Sequence, residues 1–293
     1  YASNDATGNT VSATISGTIS GDLNGAASAN GKAENNDVTL SADNVKGDVY
    51  GAKALGDAAG NKAEVKVAET IDGGLYGVKS EAGAASSNDI TLTAGSVNGS
   101  AYGAYAANDV TDNTVSVTIS GAVSGDFNGA DSAAGKVENN EVTLSANNVK
   151  GSANGAKAFD DVSNNEVELN VTGTIGGDLY GARSEAGAAS SNDITLTAGS
   201  VNGSAYGAYA ANDVTDNTVS VTISGAVSGD FSGAASANGK TASNNVTFTA
   251  ANAGGNVNGA YASNDATGNT VSVTISGAVS GDFNGADSAA GKV

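Results

Sequence analysis

An eight-residue phrase, Val/Ile-x-Gly-x-apolar-Asn/Tyr-Gly-Ala, begins at residues 19, 45, 71, 97, 123, 149, 175, 201, 227, 253 and 279, with Ala253 heading the tenth copy. Ile19-Ser20-Gly21-Asp22-Leu23-Asn24-Gly25-Ala26 and Val45-Lys46-Gly47-Asp48-Val49-Tyr50-Gly51-Ala52 are typical, and the interval never departs from 26. A fixed period of this length marks a solenoid or array, in which a single repeat cannot bury its apolar face and stacking closes the core. An unbroken period over 293 residues predicts one elongated body without linkers.

Aromatic residues make up only 5% of the chain and 42 residues are Gly, a composition that would ordinarily favour disorder. Periodic placement reverses that expectation, because Val, Ile, Leu and Phe recurring in register can stack into ladders even when few of them are large. With 31 acidic against 12 basic residues the formal charge is −19, which disfavours nucleic acid and anionic membrane as partners. Cys, Met, Trp, His and Pro are all absent. Disulfide and thiolate chemistry are thereby excluded, and little is left to oxidise, a composition suited to an extracellular polymer. No stretch approaches the roughly 20 apolar residues of a membrane span, so insertion of this segment is not expected, and none reads as a signal peptide.

Each unit contains an apolar run upstream of the phrase, as in Val11-Ser12-Ala13-Thr14-Ile15, Val38-Thr39-Leu40-Ser41 and Val271-Ser272-Val273-Thr274-Ile275. Strict apolar/hydroxyl alternation with β-branched residues is the signature of a half-buried strand. The phrase itself reads as a second strand with Ile19, Gly21 and Leu23 inward, and a polar third side such as Ala27–Glu34 carries the turns. Helix is the competing reading for an Ala-rich chain, but no apolar pattern at i, i+3, i+4, i+7 supports it. The expectation is an all-β chain, a parallel β-solenoid of eleven 26-residue rungs, with Val45, Val49, Val97, Val123, Phe127, Leu179, Phe231 and Phe283 in its core.

The columns of such a stack account for several residue choices. Gly25, Gly51 and their nine counterparts down to Gly285 are invariant, as expected where the backbone takes φ > 0 or approaches a neighbour closely. Asn recurs before the first strand at Asn9, Asn35, Asn61, Asn113, Asn139, Asn165, Asn217 and Asn269, with Ser87, Ser191 and Ser243 in the remaining places. Stacked amides can hydrogen-bond from rung to rung, so this column is expected to be a structural ladder. Tyr50, Tyr76 and Tyr102, then Tyr180 and Tyr206, share an outward column and should stack, either as lateral stabilisation or as a platform for sugars.

Longer copies keep the register. Ser80–Phe127 recurs as Ser184–Phe231, Asn113–Val137 as Asn269–Val293, and Tyr1–Ser12 as Tyr261–Ser272, suggesting a rod that changes length by whole rungs. Ala290-Gly291-Lys292-Val293 repeats Ala134-Gly135-Lys136-Val137, after which the earlier copy continues, so 1–293 reads as one continuous segment internal to a longer repetitive chain.

Without His or Cys the usual triads and zinc sites are excluded, and no phosphate-binding GxxxxGK[ST] loop occurs. Catalysis would rest on carboxylates such as Asp22 and Asp48, one rung apart, but their column reads as a solvated turn edge and no enzyme is expected. No cofactor is expected either. Weak surface Ca²⁺ binding is compatible with the abundant acids, although the GGxGxDxUx nonapeptide is missing. Thr91 and Thr93, Thr195 and Thr197, and Thr247 and Thr249 form the outward Thr-x-Thr pairs of ice-binding solenoids, a pattern broken at Lys66, Ala68, Glu168 and Asn170.

Units of the type Asn-x-Val-Thr-Leu-Ser…Val-x-Gly-x-Val-Tyr-Gly-Ala resemble the β-solenoid repeats in passenger and stalk regions of large bacterial surface proteins, including type V autotransporter adhesins. That resemblance implies an extracellular stalk or fibre at a bacterial surface. Three functions follow as expectations: a structural protein forming a rigid stalk or an end-to-end filament by self-association, end to end or laterally; an adhesin binding glycans or host protein through a lateral face; and an ice-binding solenoid.

Overall fold

The computed structural model describes Tyr1–Val293 as a stack of coils whose strands run across its axis, each coil contributing one strand to each of three parallel sheets. In the first coil these are β1 (Ala6–Thr7), β2 (Thr10–Ile19) and β3 (Leu23–Ser28); in the second, β4 (Ala33–Glu34), β5 (Asp37–Val45) and β6 (Val49–Ala54). All three sheets hold eleven strands in chain order, giving a short, a long and a medium face. At about 4.8 Å per coil the stack is roughly 50 Å long. The chain is thus an all-β parallel solenoid of eleven coils, as its period predicts.

Alternation on the long face sends Val115, Val117, Ile119 and Val123 inward and Ser116 and Thr118 outward. Val45 pairs with Ile71, one coil on. Sixty-six buried residues form a single apolar cluster along the axis, in which Phe127, Phe231 and Phe248 are the largest side chains. Seven of the eight core residues expected from sequence are buried; Phe283 is 53% exposed because the terminal coil has a neighbour on one side only.

The recurring phrase is not one strand. Ile19 ends the long strand, residues 20–22 form a bend, and Leu23 opens the medium strand, so the phrase marks a corner and Gly21 does not point into the core. At the same corner of the next coil, a Cβ on Gly47 would lie 2.7 Å from the Asp22 backbone nitrogen. Close approach also explains the second invariant Gly: a Cβ at Gly129 would sit 2.5 Å from the Gly155 carbonyl oxygen and inside the Val142 side chain, where two sheets converge.

Successive coils are not equivalent. Ala6 pairs with Ala33 and Ala33 with Ala58, steps of 27 and then 25 residues that recur in the bonds from Asn9 to Asn36 and from Asn36 to Asn61. This alternation runs the length of the stack. Odd-numbered coils have ten-residue long strands up to the ninth and a bulge near their end, as between Ile119 and Ala122; even-numbered coils have nine-residue strands. The turn lengths compensate, with four residues between Ser28 and Ala33 but three between Ala54 and Ala58. Ser80 fixes the longer kind of turn, donating from Oγ to the Gly56 carbonyl (2.7 Å) and accepting from the Gly83 N–H (3.0 Å). Asp57 Oδ1 accepts the Ala84 N–H (3.1 Å) across the same corner. The structural repeat is therefore a pair of coils rather than the single rung expected from the phrase. The exact copies in the chain agree: Ser80 recurs at Ser184, Asn113 at Asn269 and Tyr1 at Tyr261, displacements of four, six and ten coils, all even.

Candidate functional site

An amide ladder runs along the corner between the short and long faces, and its members are Asn9, Asn36, Asn61, Asn88, Asn113, Asn140, Asn165, Asn192, Asn217, Asn244 and Asn269. Each Nδ2 up to that of Asn244 donates to the Oδ1 of the next coil, from Asn36 to Asn61 at 2.8 Å and from Asn113 to Asn140 at 2.9 Å. Each Oδ1 also accepts the backbone N–H of the preceding Asn, and Nδ2 reaches a short-face carbonyl, as from Asn61 to Ala33 O at 2.8 Å. Such buried amides satisfy both of their polar ends, which makes the column a structural element.

Six of the eight sequence-predicted members, Asn9, Asn61, Asn113, Asn165, Asn217 and Asn269, lie in this ladder. Asn35 and Asn139 do not: they are exposed, with φ of 54° and 56°, and precede the true members by one residue. Ser87, Ser191 and Ser243 occupy the same left-handed position. A count in strict steps of one phrase interval misses the alternation between coils and so lands one residue early in every second coil. The missed members could be found by anchoring on the strand, since Asn-x-apolar precedes it in all eleven coils, from Asn9-Thr10-Val11 to Asn269-Thr270-Val271.

The acidic column at the corner between long and medium faces is likewise occupied by backbone. Asp22 Oδ1 accepts the Asp48 N–H at 2.9 Å, Asp48 Oδ1 the Gly74 N–H at 2.7 Å, and Asp178 Oδ1 the Ser204 N–H at 2.8 Å. No three acidic side chains are grouped as a cation site would require. On the long face, Thr91 and Thr93 pair with Glu64 and Lys66 on one side, and Thr195 and Thr197 with Glu168 and Asn170, so charges and an amide interrupt any flat hydroxyl array.

Tyrosines of the medium face form two stacks. Ring centroids are 5.0 Å apart for Tyr50 and Tyr76, 5.1 Å for Tyr76 and Tyr102, and 5.0 Å for Tyr180 and Tyr206, with interplanar angles of 11° or less. Asn128 and Asn154 separate the stacks, Asn154 Nδ2 donating to Asn128 Oδ1 at 2.8 Å. Cations lie over several rings: Lys53 over Tyr50 at 4.6 Å, Lys79 over Tyr76 at 4.9 Å and Arg183 over Tyr180 at 4.8 Å. Tyr50 is consequently buried despite facing outward.

The two stacks end differently. Tyr102 is followed by Asn128, whose Nδ2 donates to Asp131 Oδ2 at 3.0 Å, both side chains buried and with Lys157 3.9 Å from the other Asp131 oxygen. Desolvation of that carboxyl pushes its pKa up to about 6, against the lowering effect of Lys157. Tyr206 is followed instead by Ser232, and Tyr209 by Ala235. There a notch of about 420 Å³ opens, lined by Tyr206, Tyr209, Asp230, Ser232, Asn258 and Tyr261 among others.

These features define the class of protein as a parallel β-solenoid with an internal amide ladder and tyrosine stacks on one face. Comparisons with protein-family models, with characterised proteins and with solved structures found no match for the particular chain.

Proposed function

We propose that the chain is a non-enzymatic structural protein that works by extension outside the cell, as a rigid stalk or as a subunit adding end to end into a fibre. The observation that supports this most is the unbroken in-register pairing of all three sheets through eleven coils around one apolar cluster, which makes the body stiff along its axis. Asp22, Asp48 and Asp178, in the one column where carboxylates stand a coil apart, accept backbone N–H groups of the next coil, which supports a structural use for them.

Freedom from Cys and Met, together with the resemblance to bacterial surface repeats, supports an extracellular setting.

Electron microscopy of native material tests the reading, with thin unbranched rods the expected result. Compact monodisperse particles would count against it, as would polysaccharide turnover that disappears in an Asp22→Ala/Asp48→Ala variant.

A further inference from the structure

The notch beyond Tyr206 has an internal control. The segments Ser80–Phe127 and Ser184–Phe231 are identical, so Tyr102 and Tyr105 in one have the same local sequence as Tyr206 and Tyr209 in the other. The copies diverge at the next residue: Asn128-Gly129-Ala130-Asp131 in the first, Ser232-Gly233-Ala234-Ala235 in the second. In the first copy the longer pair fills the space beyond the stack. In the second, Ser232 and Ala235 leave it open.

One face of Tyr206 is covered by Tyr180. Tyr209 meets its edge at 63° with centroids 5.4 Å apart, forming a side wall. In register, Tyr261 stands one coil beyond Ala235, as Tyr209 stands one coil before it. The remaining face of Tyr206 thus looks along the axis into a gap one coil deep, where the next ring of the stack would lie. Polar groups surround that gap. Asp230 uses Oδ1 to accept the Asn256 N–H (2.8 Å), leaving Oδ2 for a ligand, and Asn258 accepts through Oδ1 from Asn284, leaving its Nδ2 to donate. Ser232 adds a hydroxyl, and the Tyr206 phenol, whose pKa desolvation raises, adds another.

We propose that this notch is a binding site for a neutral saccharide, whose pyranose ring completes the tyrosine stack on Tyr206 while its hydroxyls bond Asp230, Ser232 and Asn258. A sugar ring offers what the site asks for: a flat C–H face for the aromatic ring and a rim of groups that both donate and accept. The free oxygen of Asp230 and the −19 charge of the chain disfavour uronic acids, sialic acids and sugar phosphates. The inference does not depend on the stalk or filament reading.

The test is saturation-transfer NMR on the intact chain with lactose, maltose, cellobiose and N,N′-diacetylchitobiose, each beside a uronic-acid disaccharide. At least one neutral disaccharide should receive transfer on its ring protons, with a Kd on the order of 1 mM. Tyr206→Ala and the plugging variant Ser232→Asn/Ala235→Asp, which copies the arrangement already folded at 128 and 131, should weaken binding about tenfold or more. Tyr102→Ala should leave it unchanged, and Asn128→Ser/Asp131→Ala should create a second site beyond Tyr102. No transfer to any neutral sugar, equal transfer to the plugged variant, or preference for the uronic acid would each overturn the proposal. Circular dichroism of every variant should show the parent β signal, so that loss of binding is not loss of fold.

Discussion

Asn113 donates its side-chain amide to Asn140 at 2.9 Å, and the spacing between them is 27 residues, one more than the interval of the surrounding phrase. The side chain of Asn139, one residue earlier, bonds only at the surface, from Nδ2 to Asp112 Oδ1 at 3.2 Å. Two adjacent asparagines thus have different work: one holds coils together, the other supplies a left-handed backbone.

Replacing them separates the roles. Asn140→Ala removes the acceptor of two buried bonds from Asn113 and the donor to Asn165 and to the Val110 carbonyl, leaving partners unmet. We expect a loss of about 3 kcal/mol in denaturant unfolding. Asn139→Ala should cost only about 1 kcal/mol, through the left-handed φ, and Asn139→Gly should cost nothing, since Gly8, Gly60 and Gly268 hold the same position naturally. Equal effects at 139 and 140 would contradict the ladder assignment.

Gly129→Ala should destabilise by about 3 kcal/mol, because its Cβ would overlap Val142 and the Gly155 carbonyl and the sheets cannot separate without opening the core. Gly285→Ala, in the same column of the last coil where nothing lies within 4 Å, should leave the melting temperature unchanged.

Asp131 should give the chain an acid-favouring stability term. Its pKa of about 6 in the folded state lies above the ordinary 3.8, so the folded state holds a proton that the unfolded state has released between those values. The contribution is complete below about pH 4 and is lost as pH rises through 6, with an upper size of about 3 kcal/mol. Lys157, Glu185, Asp126 and Arg183 surround the carboxyl and set its balance. Asp131→Asn should therefore gain stability at pH 7 but not at pH 4, as measured by urea midpoints at the two values. An identical gain at both would refute the assignment.

Deletions test the paired repeat. Removing two coils' worth of chain, 113–164, joins Asp112 to Asn165 and restores a left-handed residue followed by a ladder Asn. Removing one phrase interval, 113–138, joins Asp112 to Asn139, which places Glu141 where Val115 pointed inward and turns Val142 to solvent. Thermal melts should show the first variant close to the parent and the second at least ~10 °C lower, a shift of a few kcal/mol. Similar melting of the two would mean that single coils are interchangeable.

Most of the architecture was legible in the chain because apolar/hydroxyl alternation and a fixed phrase interval survive any small offset between them. Val45, Phe127 and Leu179 could be placed inside from those signals alone. The two-coil alternation was not legible, because one corner keeps a constant interval, as from Asp22 to Asp48, while the ladder at the other corner takes a long step and then a short one. The bulge near residue 121 is cancelled within its phrase interval by the shorter turn at 107–109. The tyrosine stacks were readable as a column, yet the notch was not. It arises from what Ser232 and Ala235 lack, and only the point at which the long copies diverge marks it in the sequence.

Because the strands lie across the rod, the bonds between coils point along it, and a pull on the two ends loads those bonds in series. The rod should fail by shedding coils one after another from an end, each step needing only the rupture of a single coil's bonds. A released coil extends to roughly 90 Å where it had occupied about 4.8 Å. Such a body stands stiffly at rest and, under tension, releases length in steps, as a mechanical fuse does.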